Sequence, residues 1–458
     1  MNKKIRTKMT TWQFLALGFF LVIIVGAILL RLPFATKEGE STSFLNALFT
    51  STSATCVTGL VTYDTNTHWS LFGQIVIICL IQLGGLGFMT FVTILLSVFG
   101  KNMGLTTSKI LMVAAGEERR NNIWRLFKRL LIGTLIFEGL GAILLSIRFI
   151  PQFGVGKGIY YAVWHSVSAF CNAGFDLMGG VLGNGQFSSF TAYATDPLVS
   201  LTIAGLILIG GLGFCVWDDL LNCKFRLKKF RLHTKVVLLM TTILVIVPTA
   251  LFMLFEWGNP TNPVFQEYSF GEKLLVSLFS AITPRTAGFN TVNMAAYSDS
   301  SYILTVILMF IGGSSGSTAG GIKITTFFVI FMGILTVFRD KKDIELGRRR
   351  IDDSLLRQAL AVFVSCLFIV IVATISICAI ERNNPTATLP AVIFETVSAM
   401  GTVGLSLSLT PTLSVASKII LIVLMYMGRV GILTIGLAFG EKKSADAMRK
   451  PLGTLLIG

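Results

Sequence analysis

Hydrophobic residues along this chain fall into long runs, separated by shorter segments that contain most of the polar residues and glycines. Four runs open a recurring pattern, at residues 13–32, 130–150, 236–255 and 359–380. Four further runs begin near Leu71, Leu198, Tyr302 and Lys418. An α-helix needs roughly 20 apolar residues to cross the hydrocarbon core of a bilayer. The pattern therefore predicts eight membrane-spanning helices.

Between the two runs of each pair lies a shorter, less apolar stretch, and the four stretches align without gaps. They read FLNALFTSTSATCVTG at 44–59, IYYAVWHSVSAFCNAG at 159–174, KLLVSLFSAITPRTAG at 273–288 and LPAVIFETVSAMGTVG at 389–404. Their closing glycines are 115, 114 and 116 residues apart. A helix too short to cross, flanked by two spans, is typical of a re-entrant loop. A buried helix of an ordinary bundle is the alternative, but it does not require the same terminal glycine four times.

The alignment divides the chain into four repeats, each with a first span, a short pore helix, an extended loop and a second span. We place them at residues 1–100, at 101–235 with a preceding cytoplasmic loop, at 236–345 with a broken second span, and at 346–458 with a C-terminal tail. The motifs LGGLGF at 83–88, IGGLGF at 209–214, IGGSSG at 311–316 and MGRVGI at 427–432 support the same period. The expected fold is an all-α integral membrane protein. It has eight transmembrane helices and four re-entrant pore loops, in four parallel repeats around a central pore.

Composition and charge agree with this architecture. Hydrophobic residues make up 53% of the 458 residues, charged residues 13%, and the mean hydropathy is +0.77. Of the 38 lysines and arginines, 28 lie in five segments, at residues 3–8, 101–129, 224–235, 339–357 and 442–450. All five fall on the same side of the predicted membrane, as the positive-inside rule requires of cytoplasmic loops. We therefore expect a multi-pass protein of the cell membrane with both termini cytoplasmic, rather than one that binds nucleic acid.

No group of residues suggests catalysis or a resident cofactor. The seven cysteines contain no CxxC pair and lie mostly inside apolar runs, which favours structural thiols. The sequence shows no nucleophile–base pair and no metal-ligand cluster. The protein is therefore not expected to be an enzyme, and the chain itself is expected to hold no cofactor.

The ends of the four loops share little beyond their glycine, which indicates that the backbone is the working part. They are Cys56, Val57, Thr58 and Gly59; Cys171, Asn172, Ala173 and Gly174; Arg285, Thr286, Ala287 and Gly288; and Gly401, Thr402, Val403 and Gly404. Irregular backbone at membrane depth is tolerated only where protein buries it or where it lines a water-filled path. Rings of carbonyl oxygens can replace the hydration shell of a cation. The pattern thus favours a cation-selective pore.

The chain resembles the KtrB-type membrane subunits of the Ktr/Trk/HKT potassium transporter superfamily over essentially its whole length. The residues that carry the resemblance are ATCVTGLV at 54–61, TPRTAGFNT at 283–291 and SAMGTVGLS at 398–406. The resemblance implies that the four glycines mark a selectivity filter and that glycine in all four repeats goes with a preference for potassium. It also implies a homodimer, formed through the tail at 451–458. Its implied partner is a cytosolic ring of RCK-type (KtrA-type) subunits, which would carry the regulatory nucleotide.

Two departures from the repeat suggest control of the pore. The second span of the third repeat contains Gly312, Gly313, Ser314, Ser315, Gly316, Ser317, Thr318, Ala319, Gly320 and Gly321, followed after Ile322 by Lys323. Such a composition does not favour a regular helix, and the order of residues is not that of a phosphate-binding loop. The resemblance implies an intramembrane gate here. Arg429 replaces a repeat glycine inside the last span, where we expect it to form a positive barrier near the middle of the pore.

Other polar residues have lesser expected roles. His165 and Glu395 on the pore helices, and Arg285 beside the third glycine, are expected to brace the filter. Asp64 and Asp176 either concentrate cations at the mouth or are ordinary loop residues. The rivals to selective potassium permeation are a sodium-coupled or sodium-permeable version of the same fold, an organic-solute carrier and an intramembrane enzyme.

Overall fold

A computed structural model describes residues 11–87, 123–183, 185–224, 226–260, 262–341, 343–346 and 349–439. The predicted basic segments at 3–8 and 442–450, most of the one at 101–129, and the tail at 451–458 lie outside the described residues. Within this part of the chain the protein is mostly helical with little sheet, which confirms the predicted α class. Two three-residue strands, β1 Ile344–Leu346 and β2 Arg349–Ile351, form a small antiparallel hairpin with Ile344 opposite Ile351.

A short helix of 12–16 residues leads to each repeated glycine, the long helix before it has 20–31 residues, and the helix after it has 12–16 residues. The helix after it is called the second long helix of the repeat below, because it belongs to the second apolar run. The first half contains α1 Thr11–Leu30, α2 Phe44–Thr55, α3 Thr65–His68, α4 Leu71–Leu86, α5 Ile123–Phe153, α6 Val155–Phe170, α7 Pro197–Leu212 and α8 Phe214–Asn222. The second half contains α9 Leu232–Glu256, α10 Pro263–Glu267, α11 Phe270–Ile282, α12 Asp299–Phe310, α13 Ile324–Phe338, α14 Asp353–Ile380, α15 Leu389–Gly401, α16 Val415–Val430 and α17 Ile432–Phe439. Short 3₁₀ turns lie at Pro33–Ala35, Thr191–Tyr193, Leu227–Lys229, Met294–Ala296 and Thr410–Thr412.

The beginnings of the helices are encoded locally by hydroxyl and carboxylate caps. Ser269 caps α11 through the Glu272 amide, and the Glu272 side chain accepts a hydrogen bond from the Ser269 amide in return, which completes a capping box. Thr388 caps α15 through the Ala391 amide. These caps satisfy amides that would otherwise lack partners in the first turn of each helix.

Three of the long helices end at a glycine whose conformation suits no other residue. Gly87, Gly213 and Gly431 have φ of 83°, 93° and 88°, in the left-handed region that L-residues with side chains avoid. At Gly213 the chain turns by 89° between α7 and α8. The glycines of the second repeated motif therefore end or bend helices, in addition to allowing close packing.

The contacts between helices of successive repeats form a closed cycle. Each short helix that precedes a repeated glycine packs against the second long helix of the repeat before it: α6 against α4, α11 against α7, and α15 against α12. The cycle is completed by α16, the second long helix of the last repeat, which packs against α2 of the first. This arrangement brings the C-terminal ends of α2, α6, α11 and α15 to a common centre.

The outer surface is apolar where the long helices face away from this centre. Leu135 and Ile143 of α5 are 61% and 63% exposed, and Phe368 of α14 is 66% exposed. By length and composition, three helical segments can cross a membrane: Arg129–Phe153, Leu232–Glu256 and Asp353–Ile380. A fourth is obtained if the bent pair α7 and α8 counts as one span, and further apolar helices of 12–16 residues include α4, α12 and α13. These features are those of a helical membrane protein.

Candidate functional site: a ring of four glycine loops

The ends of the four loops, residues 56–59, 171–174, 285–288 and 401–404, meet in one ring and are called the glycine loops below. A Cβ on Gly59 would lie 2.5 Å from the Ala173 carbonyl oxygen, and one on Gly174 would lie 2.7 Å from that of Ala287. Gly288 stands in the same relation to Val403 at 2.4 Å, and Gly404 to Thr58 at 2.2 Å. Each glycine thus lies against the carbonyl that precedes the next glycine, and the fourth loop returns to the first.

The backbone conformation is repeated in all four loops. The glycines Gly59, Gly174, Gly288 and Gly404 have φ of 94°, 69°, 78° and 91°. Two residues earlier, Val57, Asn172, Thr286 and Thr402 are also left-handed, with φ between 51° and 71°. A left-handed conformation is unfavourable for such residues, so the surrounding structure must hold it in place.

Carbonyl groups near the end of each short helix accept hydrogen bonds from amides of the loop that follows, whereas carbonyl groups of the loops stay free. In three repeats the amide before the glycine donates to a serine carbonyl six residues before that glycine: Thr58 to Ser53, Ala173 to Ser168, and Val403 to Ser398, at 2.8–2.9 Å. In the third repeat the Ala287 amide donates to the Thr283 carbonyl at 3.0 Å. Among the described residues, no hydrogen bond is donated to the carbonyls at 57–58, 172–173, 286–287 or 402–403. These oxygens are available to a ligand.

The residue after each glycine anchors the outer end of the loop. Leu60, Phe175, Phe289 and Leu405 are all at most 1% exposed. The next position, which holds Val61, Asp176, Asn290 and Ser406, lines an open cavity over the ring of glycines. Of these eight residues, the sequence analysis singled out Asp176 alone, although extending the repeat alignment by two residues would have shown both positions.

The polar residues expected to brace the loops do so beyond the glycines. His165 on α6 donates from Nδ1 to the Tyr161 carbonyl and accepts at Nε2 from the Leu177 amide, at 2.7 and 3.0 Å. Glu395 on α15 accepts hydrogen bonds from the hydroxyls of Ser406, at 2.8 Å, and Thr410. Both side chains tie the segment that follows a glycine to the pore helix that precedes it.

The two aspartates at the mouth have different environments. Asp64 accepts hydrogen bonds from the amides of Asn66, Thr67 and Phe187, so it caps α3 and ties down the outer loop of the second repeat. Asp176 lines the cavity and accepts one backbone hydrogen bond, from the Met178 amide at 2.9 Å. Burial raises the pKa of Asp176 to about 7, which the Met178 amide opposes and the charge of Asp64 reinforces. Asp64 and Asp176 line the same cavity over the ring.

Arg285, beside the third glycine, has guanidinium nitrogens that form no hydrogen bond to the loop. Its side chain is 5% exposed, and neither Nε nor Nη1 has a hydrogen-bond partner. The described residues include no carboxylate paired with it. Within the described residues, the positive charge of its guanidinium beside the third loop is therefore not neutralised by a carboxylate.

Residues 312–321, called the broken segment, interrupt the second long helix of the third repeat between α12 and α13. The Ser314 amide donates to the Gly211 carbonyl at 3.0 Å, and the Thr318 hydroxyl donates to the Phe170 carbonyl at 3.2 Å. A Cβ on Gly320 would collide with the Thr402 hydroxyl. The broken segment therefore lies directly against the inner ends of the second and fourth glycine loops.

Two cationic side chains hold the broken segment. Arg429 on α16 donates hydrogen bonds to the carbonyls of Thr318, Gly84 and Gly85. Lys323 donates to the Ala319 carbonyl at 2.7 Å and to the Gly320 carbonyl at 3.4 Å. Arg429 thereby joins the first, third and fourth repeats in one contact, beneath the ring.

A helical membrane protein that gathers four glycine loops with free carbonyl oxygens around one centre has the architecture of a membrane cation transporter. Among the described residues no cluster of histidine, cysteine and carboxylate side chains is arranged to hold a metal ion, so the oxygens on offer are those of the loops and the mouth. The family model described as "TrkH: Cation transport protein" matches residues 6–450. The chain belongs to this family.

Several relatives match over nearly their whole length. The chain is 40% identical to the potassium/sodium uptake protein NtpJ of Enterococcus hirae, covering 95% of this chain and 94% of the relative. It is 40% identical to the Ktr system potassium uptake protein B of Bacillus subtilis, covering 98% and 97%. The structure of the potassium transporter TrkH from Vibrio parahaemolyticus superposes with a TM-score of 0.72 at 17% identity, covering 96% of this chain and 87% of that one. The expected KtrB-type membership is thus confirmed.

Proposed function

We propose that this protein takes up potassium across the plasma membrane through a single pore whose selectivity filter is the ring of glycine loops. The observation that carries the proposal is the cyclic contact of each glycine with the carbonyl before the next one. Four loops in this relation present their free carbonyl oxygens toward one axis. Carbonyl rings can replace the water around a potassium ion.

The pore helices add to the preference for cations. Because α2, α6, α11 and α15 end at the ring, their partially negative C-terminal ends face an ion bound there. In the proposed topology each repeat contributes two spans and one re-entrant loop, which makes eight spans with both termini cytoplasmic. The cavity with Asp176, Asn290 and Ser406 is then the external mouth.

The broken segment is proposed as the gate. It lies across the inner ends of two glycine loops and is held by hydrogen bonds from Arg429 and Lys323. In this proposal the closed gate depends on a few hydrogen bonds between these side chains and backbone carbonyl groups of the segment. These hydrogen bonds can break without unwinding a helix. The positive charge of Arg429 also opposes cations at this depth.

Control from outside the membrane is proposed to come from a partner. The names of the relatives from Bacillus subtilis and Vibrio alginolyticus refer to a Ktr system, which supports an RCK-type cytosolic ring as the partner. The homodimer of this chain is proposed from the family resemblance alone. The nucleotide is then bound by that ring. The described inner segments, such as the hairpin at 344–351, are too small to hold one.

Reconstitution tests the proposal. Purified protein in liposomes should take up rubidium or potassium much faster than sodium, with no other protein present. Uptake should be measured with and without external sodium, because the name of the Enterococcus relative includes both ions. Equal rubidium and sodium fluxes would refute the selectivity, whereas rubidium flux that requires sodium would establish the sodium-coupled alternative.

A further inference from the structure

Three side chains from different elements form a buried polar chain beside the second glycine loop. Gln82 of α4 donates from Nε2 to both carboxylate oxygens of Glu138 on α5, at 3.0 and 3.3 Å. The Cys171 thiol, the first residue of the second glycine loop, donates to Oε1 of Gln82 at 3.3 Å. Cys171 is fully buried and Glu138 is 7% exposed. The side-chain amide of Gln82 thus connects the carboxyl group of Glu138 to the second glycine loop.

The position of Glu138 makes this contact unusual. It lies at the midpoint of α5, within the segment Arg129–Phe153 that is long and apolar enough to cross a membrane. Among the described residues it has no cationic partner, and Gln82 is its side-chain donor. An ionisable group at this depth is costly to bury and in most cases serves a function.

The equivalent positions in other repeats lack this carboxyl group and this amide. The Ser166 hydroxyl donates to the Glu138 carbonyl at 2.6 Å, and the Ser51 hydroxyl donates to the Ile23 carbonyl at 2.7 Å. Ile23 therefore occupies the position of Glu138 in the first repeat. The positions that correspond to Gln82, two residues before the first glycine of the repeated motif, hold Leu208, Phe310 and Tyr426.

The geometry explains how the pair acts on the loop. Glu138 presents two acceptors, so the amide of Gln82 must turn its nitrogen toward Glu138 and its oxygen toward Cys171. The thiol is confined on the other side by Gly85, where a Cβ would lie 2.6 Å from Sγ. Cys171 is followed directly by Asn172 with φ of 59°. Its side chain is thus held at the start of the left-handed turn that orients the carbonyls.

We propose that Glu138 and Gln82 are positioning residues that fix the second glycine loop through Cys171 and thereby set how well the pore discriminates among alkali cations. The inference rests on the proposed function. The pair acts through one quarter of the ring, so the filter is chemically asymmetric. We expect the loss of the Glu138–Gln82 contact to change the ratio of rubidium to sodium flux more than it changes the amount of folded protein.

The test uses variants whose side chains the chain already tolerates at equivalent positions. Glu138→Ile, Gln82→Leu and the double variant are reconstituted, and rubidium and sodium uptake are measured in parallel. Each single variant should lower the rubidium-to-sodium ratio about fivefold, the factor that corresponds to losing one hydrogen bond. The double variant should be no worse than either single one, because the contact acts as a unit.

The controls separate positioning from folding. Ser146→Ala removes another hydroxyl from α5, one that donates only within its own helix, and should leave the ratio unchanged. Glu138→Gln keeps an acceptor for Gln82 and should keep most of the wild-type ratio. If Glu138→Ile or Gln82→Leu yields too little folded protein, the conservative variant Glu138→Gln and the other single variant still test the positioning role.

The outcomes separate this inference from the proposed function. If the wild-type protein shows no preference for rubidium, the proposed function is wrong. If the wild type is selective but Glu138→Ile and Gln82→Leu keep its ratio, or lower both fluxes equally, the positioning role is refuted.

Discussion

At the residue scale, the glycine loops depend on backbone freedom and on the small size of glycine. Gly59, Gly174, Gly288 and Gly404 combine a positive φ with a neighbouring carbonyl at a distance that leaves no room for a methyl group. Either constraint alone would favour glycine. Together they explain why the four loops keep this residue while the preceding positions vary.

Replacement of one ring glycine tests this constraint. In Gly288→Ala the new Cβ meets the Val403 carbonyl at 2.4 Å with φ at 78°, and the left-handed conformation alone costs about 1–2 kcal/mol. Rubidium uptake should fall about tenfold or more, and the preference over sodium should weaken. Gly156→Ala is the matched control, because no atom lies within 4 Å of its Cβ. Wild-type selectivity in Gly288→Ala would contradict the proposed filter.

A second group of residues is important for stability and was not predicted. Glu381, just after α14, accepts hydrogen bonds from the Ser414 amide at 2.8 Å, the Ser417 hydroxyl at 2.6 Å and the Asn384 amide at 3.0 Å. Glu256 in the third repeat is bound in the same way by Ser298, Ser301 and Asn259. Each carboxylate fastens the outer end of one long helix to the start of the next.

The pKa of Glu381 gives a pH test of this clasp. Burial raises the pKa, but the hydrogen bonds from Ser414, Ser417 and Asn384 outweigh it and lower it to about 2. The pKa of Glu381 in the folded state lies below its unfolded-state value, which is about 4.3. The ionised carboxylate therefore stabilises the fold above this pH, and the stabilisation is lost as the pH falls toward 2. Glu381→Gln should therefore lower the thermal midpoint in detergent by a constant amount from pH 8 to 5, with the difference shrinking below pH 4. Glu345→Gln, at an exposed residue, is the control, and an equal loss there would refute the clasp.

At the element scale, the broken segment differs from the other second spans because its glycines and serines cannot sustain a helix. Its amides find partners on α7 instead, at Gly210 and Gly211. Irregular backbone is stable at this depth because neighbouring carbonyls and Arg429 satisfy it. The segment is thus held by contacts between repeats as well as by hydrogen bonds within the third repeat, such as that from the Gly312 amide to the Ile322 carbonyl at 2.8 Å.

Removing the arginine should release this element. In Arg429→Ala the carbonyls of Thr318, Gly84 and Gly85 lose their common donor and the pore loses a positive charge. Rubidium uptake by the protein without any partner should rise severalfold, and a deletion within residues 312–321 should do the same. Arg148→Ala, which breaks an outer ion pair with Asp196, is the control. Unchanged or lower flux in folded Arg429→Ala would count against a gate.

At the scale of the whole molecule, four similar units form a closed ring through the contact of each second long helix with the next pore helix. The ring is not symmetric in chemistry. The second quarter carries Glu138, the third carries Arg285 and the broken segment, and the fourth carries Arg429. In the proposed function, the shared backbone geometry serves permeation and the side chains that differ between quarters serve its control.

The proposed orientation of the molecule is also testable. The positive-inside pattern assigns residues 224–235 and 339–357 to the cytoplasm, and the segment after α1 to the outside. In a background without native cysteines, Lys37→Cys should react with a membrane-impermeant maleimide on intact cells, while Lys341→Cys should react only after permeabilisation. Both lysines are exposed in the structure. The reverse labelling would overturn the topology.

The sequence by itself determined the features that depend on neighbours along the chain. Hydrophobic run length determined the helical membrane class, the spacing of Gly59, Gly174, Gly288 and Gly404 determined the repeat, and the match of local motifs identified the family, which is confirmed. The filter and gate roles of the individual residues stay predictions. Such features could be predicted because helix formation, left-handed turns and bilayer thickness act over a few to about twenty residues.

Only the tertiary structure decided which distant residues meet. It showed that Asp64 caps α3, that Asp64 and Asp176 both line the cavity over the ring, and that Arg285 has unpaired donors. It also showed that Arg429 contacts a carbonyl 345 residues away in the sequence. It also brought Gln82, Glu138 and Cys171 together from three elements. Their partners depend on how repeats pack around a common centre, and no local pattern of hydrophobic and polar residues encodes that packing.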